Sequence, residues 1–190
     1  MKRGTSISTY LRPLAEQTHQ VYLTNELQVA DVLEWILSQV GRSEVWQTSF
    51  SISEEFLRRL FFIEQEGQVS QFNLILDFKA TQKTLRLWPF ICQTMQHVYL
   101  ADNHSKVLLV QSEKGDTVTV LTSQNLTRGN RVESALVTND KAIFATLQDS
   151  MISLIHNKSV PLHELYERAI GGDCEVCFYL SPYFRPGCHP

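Results

Sequence analysis

Through the first half of this chain short β-rich runs alternate with amphipathic helical stretches, and afterwards such runs follow one another with only turns between them. That order constrains the fold more than any other feature, because parallel strands need a crossover helix while antiparallel strands need only a turn. Val21-Tyr22-Leu23 reads as a short strand. Val29, Val32, Leu33, Ile36, Leu37 and Val40 then recur at helical spacing, and Gly41 supplies a stop. Glu44 to Ser51 is strand-like. Ser51 or Ser53 can cap a helix whose first turn carries Glu54 and Glu55 and whose apolar face is Phe56, Leu57, Leu60 and Phe61. Gly67 ends that helix, and Phe72, Leu74, Leu76 and Phe78 alternate along the next strand. Residues 81 to 94 read as helical, interrupted at Pro89.

Strands at His97 to Ala101, Val107 to Val110, Val118 to Leu121 and Glu133 to Val137 come next, and then a helix capped by Asp140 with Ile143, Phe144, Leu147, Met151 and Leu154 on its inner stripe. The order β-α-β-α-β-α-β-β-β-β-α predicts an α/β domain: a mixed β-sheet flanked by helices on both faces. Residues 1–18 are expected to form an irregular N-terminal arm, 19–160 the domain, and 161–190 a short helix, Leu162 to Ala169, followed by a Cys-rich tail.

Composition narrows the function. With 190 residues, 43% of them hydrophobic, the chain can bury one sizeable core. A formal charge of −3 excludes a protein that coats nucleic acid through a broadly basic surface, since such binding neutralises many phosphates. No segment has the pattern of a signal peptide or the length to span a bilayer, so a cytoplasmic protein without membrane contact is expected. Cys174, Cys177, Cys188 and His189 offer zinc-ligand types, but only the first pair has compact spacing and the second is adjacent, so free thiols are expected. No Asp/Glu cluster has metal-ligand spacing, and neither metal nor other cofactor is expected.

Short polar pairs interrupt the strand-like runs at His104-Ser105-Lys106, at Thr122-Ser123-Gln124-Asn125 and at Arg131-Val132-Glu133. If the turn Glu113-Lys114-Gly115-Asp116 is centred between Lys114 and Gly115, His104 lies opposite Asn125 and Lys106 opposite Ser123. An imidazole, an ammonium, a hydroxyl and a carboxamide on one patch provide a nucleophile or base, a fixed positive charge and several donors, an inventory that suits a phosphate oxyanion.

These residues resemble the signature of the phospholipase D superfamily, a His-x-Lys followed by a Ser-x-Asn, matched here by His104 and Lys106 and by Ser123 and Asn125. The small bacterial nucleases of that superfamily also carry a Glu in the following strand, the place of Glu133. One position departs: the family's Asp after the Lys is Gln111 here, with Asp116 in the turn a poor substitute. A second His-x-Lys, His156-Asn157-Lys158, has no Ser-x-Asn at a useful distance and sits in a helical pattern.

The resemblance implies a single phospholipase D-like domain and a metal-independent phosphodiesterase, a nuclease. In it His104 attacks phosphorus to form a covalent phosphohistidine, Lys106 and Asn125 stabilise the equatorial oxygens, and Glu133 with Ser123 holds the His104 imidazole. One chain supplies one motif, so the resemblance also implies a homodimer whose second His104 protonates the leaving group. Arg128 and Arg131 are candidate contacts to a nucleic-acid backbone. The alternatives are a non-catalytic nucleic-acid-binding or regulatory module that keeps the phosphate pocket, and a phospholipid hydrolase.

Overall fold

The strands of the chain assemble into one eight-stranded sheet, and its mixed character follows from the connections. The computed structural model describes residues 6–80, 87, 91, 95, 97–127 and 129–170. β1 (His19–Thr24), α1 (Val29–Val40), β2 (Ser43–Ser49), α2 (Glu54–Gln65) and β3 (Val69–Asp77) come first. β4 (His97–Ala101), β5 (Val107–Ser112), β6 (Thr117–Thr122) and β7 (Glu133–Thr138) follow, then α3 (Lys141–Lys158), β8 (Ser159–Pro161) and α4 (Leu162–Ile170). The sheet order is β1-β7-β6-β5-β2-β3-β4-β8. β2, β3 and β4 are parallel neighbours, and every other pair is antiparallel.

Local chemistry accounts for the elements. α1 buries Val29, Val32, Leu33, Ile36, Leu37 and Val40 as the spacing predicts, and stops at Gly41, whose φ of 81° suits glycine. Ser53, of the two candidate caps, accepts the Phe56 N–H at 3.3 Å and starts α2. Asp140 does the same for α3, accepting from Ala142 and Ile143. α1 and α2 cover one face of the sheet with the larger core, which includes Leu33, Ile36, Leu57, Leu74, Leu108 and Val120. α3 covers part of the other face, over Trp46, Ile75, Val107 and Leu109.

Several expectations need correction. β2 ends at Ser49, two residues before the predicted end, because Ile52 leaves the ladder to bridge Leu126. Of the α3 stripe only Phe144 and Met151 are buried; Ile143, Leu147 and Leu154 are half-buried. β8 pairs antiparallel with β4 and had no sequence signal. The arm contains a 3₁₀ turn, Ile7–Thr9, and anchors itself through buried Leu11 and Leu14. Most of residues 81–94, with Pro89, and the Cys174, Cys177 and Cys188 tail lie outside the described residues.

The hairpin register also differs. Val107 pairs with Leu121, and Val110 with Val118, one residue away from the expected alignment. The cause is the turn: Gly115 donates to Ser112 O at 2.9 Å and takes φ 87°, while Ser112 donates to Asp116 O at 2.8 Å. A three-residue loop ending in left-handed glycine therefore replaces the even-numbered turn. Lys106 consequently faces Thr122, whose N–H it receives at 3.1 Å, and not Ser123.

Candidate active site

The expected site residues gather where the parallel strands β2, β3 and β4 end and β5 and β7 begin. They converge because both segments leave the sheet there as loops, and not through the pleat. His104 is exposed and Lys106 half-buried. The Lys106 Nζ lies 3.0 Å from His104 Nδ1 and donates to the His104 carbonyl at 2.7 Å. An ammonium can only donate, so the His104 Nδ1 facing it is the accepting nitrogen and Nε2 carries the proton of the neutral ring. The Phe50 ring lies against this imidazole, with centroids 5.1 Å apart and planes at 53°.

Phe50 links the two halves of the site. Its N–H donates to Asn125 Oδ1 at 3.2 Å, which turns the Asn125 Nδ2 away from the backbone with no hydrogen-bond partner among the described residues. Ser123 donates its hydroxyl proton to Glu133 Oε2 in a short hydrogen bond and accepts from Ser134 N at 3.1 Å. Glu133 and Ser123 were expected to hold the His104 imidazole together; here they bond to each other, and neither hydrogen-bonds His104, whose Nδ1 faces Lys106 instead. Beneath them Tyr22 is buried, and burial, together with Asp31 and Glu133, pushes its phenol well above the ordinary value. It stays neutral and serves as packing.

The remaining candidates separate. Arg131 is exposed near Glu133, and Arg128 lies outside the described residues. Gln111 lies near the far end of β5 opposite Thr117 and accepts from Gln148 Nε2 of α3 at 3.3 Å. The family's Asp position is therefore a packing position in this chain, remote from His104. Sequence reasoning missed Phe50 and a buried polar group behind the His104 loop: Thr48, Ser49, Asp77 and Asn103, each at most 6% exposed. For Thr48, Ser49 and Asp77 the signal was available as polar residues closing strands β2 and β3.

Among the described residues no group of three or more His, Cys, Asp or Glu side chains is close enough to hold a metal, and no helix is long and apolar enough to cross a membrane. A hollow beside Asn125 is lined by Gln28, Ser53, Glu55, Arg59 and Thr127, but its cation, Arg59, is engaged by Asp31 and Glu34 at 2.9 and 2.8 Å.

Solved structures share this architecture. A polyphosphate kinase from Porphyromonas gingivalis matches 85% of this chain at TM-score 0.59 and 14% identity, and the chain spans about a third of that protein, 32%. NucT from Helicobacter pylori matches 75% of the chain and 98% of its own length at TM-score 0.56 and 17% identity. Nuc from Salmonella typhimurium, a phospholipase D family member, matches 75% of the chain and 97% of its own length at TM-score 0.54 and 15% identity. No protein-family model and no curated protein matches the sequence. The fold is phospholipase D-like, a mixed sheet flanked by helices on both faces.

Proposed function

We propose that this chain is a metal-independent phosphodiesterase acting on nucleic acid through a covalent phosphohistidine at His104, in a site completed by a second copy of the chain. The observation that carries the reading is the meeting of His104 and Lys106 with Asn125 and the Ser123–Glu133 pair at one end of a phospholipase D-like sheet. An incoming phosphodiester draws Lys106 off the imidazole, because an oxyanion is a stronger partner for an ammonium than a neutral nitrogen is. The ring then turns its protonated nitrogen to Glu133 and presents a lone pair to phosphorus. A nitrogen–phosphorus bond forms, the phosphorus–oxygen bond breaks, and the leaving oxygen takes a proton from the second His104. Water reverses the sequence: it attacks phosphorus, gives its proton to that second imidazole, and releases His104. Lys106 and the free Asn125 Nδ2 stabilise the equatorial oxygens throughout. Arg131, with Arg128, contacts the neighbouring backbone phosphates.

An incompletely covered sheet face supports the second copy. One cross-strand row runs Val107, Leu121, Leu136, Val21. Val107 is buried under α3, Leu121 and Leu136 are half-buried, and Val21 is 73% exposed, as is Leu23 at 72%. α3 itself presents Ala142, Ala145, Thr146, Ser150, Ile152 and Ser153 outward, with Asp149 the one carboxylate or ammonium between Lys141 and Lys158. A twofold contact that lays each α3 over the other copy's β7 and β1 covers both surfaces at once. Helix and strip dimensions give it on the order of 1,000 Å² in total, enough for a specific interface.

The test is cleavage of single- and double-stranded DNA in excess chelator, beside His104→Ala. Chelator-resistant cleavage that falls at least a thousandfold in the variant supports the reading; cleavage that needs divalent metal or survives the variant refutes it. The Glu133–Ser123 bond, which leaves Glu133 off His104, favours a second reading: a nucleic-acid-binding module without catalysis. That module binds DNA in the same assay and cleaves none. Hydrolysis confined to phospholipid micelles would assign the site to lipid instead.

A further inference from the structure

The loop that carries His104 is fastened on both sides of that residue to buried polar groups that no part of the proposed chemistry uses. Asp77, 2% exposed at the end of β3, accepts the Asn103 N–H at 2.9 Å and the Lys79 N–H at 2.6 Å. Asn103, 6% exposed, uses its carbonyl oxygen to receive both the Ser105 N–H at 3.1 Å and the Ser105 hydroxyl at 2.6 Å. Because Ser105 has given its only proton to Asn103, the 2.8 Å contact between Ser105 and Thr48 must run from Thr48 to Ser105. Thr48 in turn receives the Val107 N–H at 2.9 Å. A directional chain therefore passes from Val107 through Thr48 and Ser105 to Asn103, each bond polarising the next.

The same device reaches the other half of the site. The Asn103 Nδ2 lies 3.4 Å from the Ser49 carbonyl oxygen. Ser49 is fully buried, and its hydroxyl receives the Leu126 N–H at 3.1 Å and lies 3.4 Å from Asn125 Oδ1. The residues flanking His104 and the backbone flanking Asn125 thus share one post at the end of β2.

We infer that Asp77, Asn103, Ser105, Thr48 and Ser49 are positioning residues, a hydrogen-bond relay of four buried groups and the exposed Ser105 that fixes where His104 presents its imidazole relative to Asn125. The inference rests on His104 being the reactive group of the proposed site. None of the relay side chains touches a reacting atom, and each acts through the backbone it holds. Leaving one member unpartnered in a buried network lets the loop shift, and a displacement of about 1 Å at a nucleophile costs about a hundredfold in rate.

The test is a pair of variants, Asp77→Asn and Ser105→Ala, measured in two ways. Asp77→Asn replaces one acceptor by an amide donor facing a backbone N–H, and Ser105→Ala cuts the relay at an exposed residue. Both are expected to lower kcat by about ten- to a hundredfold with KM within about twofold. Both are also expected to broaden and move the His104 Cε1 proton resonance, because the ring samples more than one position. Asp77→Glu, which keeps two acceptor oxygens, is expected to recover part of kcat. If Asp77→Asn fails to fold, Ser105→Ala decides. Folded variants with wild-type kcat and an unmoved His104 resonance would overturn the inference. Should the wild-type protein cleave no phosphodiester, the proposed function falls, while the His104 resonance alone still decides whether the relay positions the ring.

Discussion

Leu23→Ala separates the proposed dimer from a merely exposed apolar edge. Leu23 is 72% exposed in the isolated chain, so the substitution removes almost nothing from the monomer's own core, and a surface change of this kind alters folding stability by about 0.5 kcal/mol or less. In the proposed contact the same side chain is covered. Burying a leucine is worth about 1.5 to 3 kcal/mol, and truncation to Ala forfeits about 1.5 kcal/mol of it. A twofold interface contains the residue twice, so the dimer loses about 3 kcal/mol, about a hundredfold in Kd. Sedimentation equilibrium over a concentration series reads that shift. Phe62→Ala is the control, because Phe62 is equally bare, at 63%, but sits on α2, across the sheet. A Kd within twofold of wild type for Leu23→Ala, or a larger shift for Phe62→Ala, would refute the placement of the interface. Cleavage should fall with dimer concentration in the Leu23 variant, since a dissociated chain lacks the second imidazole.

Burial pushes the Glu64 carboxyl up to about 7 from an ordinary 4.5. The folded chain holds that proton where the unfolded chain has released it, so this group's stability contribution is complete below pH 4.5 and lost as pH rises through 7. Glu64→Gln should therefore raise stability over wild type by about 1 to 2 kcal/mol at pH 8, after discounting for partial exposure, and by less at pH 5; urea melts at both values check this. Gln111→Ala should leave kcat within twofold, because about 17 Å of strand separates it from Lys106 and its partner is Gln148. A tenfold loss in chelator-resistant cleavage would show that position 111 does reach the site.

Periodicity made most elements legible, because α1 and α2 bury one face and signal it locally, and β3 is an apolar run buried on both faces. It failed where local sequence does not decide. β8 owes its existence to pairing with β4, and a three-residue run ending in Pro161 carries no pattern of its own. α3 read as an ordinary amphipathic helix, yet its outer face is nearly as uncharged as its inner one. That leaves Phe144 and Met151 as its only buried residues in the isolated chain.

The site shows the same division between what residue types reveal and what geometry adds. The sequence places His104, Lys106, Ser123, Asn125 and Glu133 by type and order, and the contacts that tie Lys106 to His104, Phe50 to His104 and Asn125, and Ser123 to Glu133 do not depend on the hairpin register. A one-residue slip would have reversed the facing of side chains within a ladder. It leaves this site intact because the residues stand on loops beyond the ladder, fastened from behind by Thr48, Ser49, Asp77 and Asn103. Under the proposed relay, these groups and not the pleat set which side chains of the His104 loop face outward. Gln111, where the motif's resemblance expects Asp, lies inside the ladder opposite Thr117 and packs on α3 through Gln148.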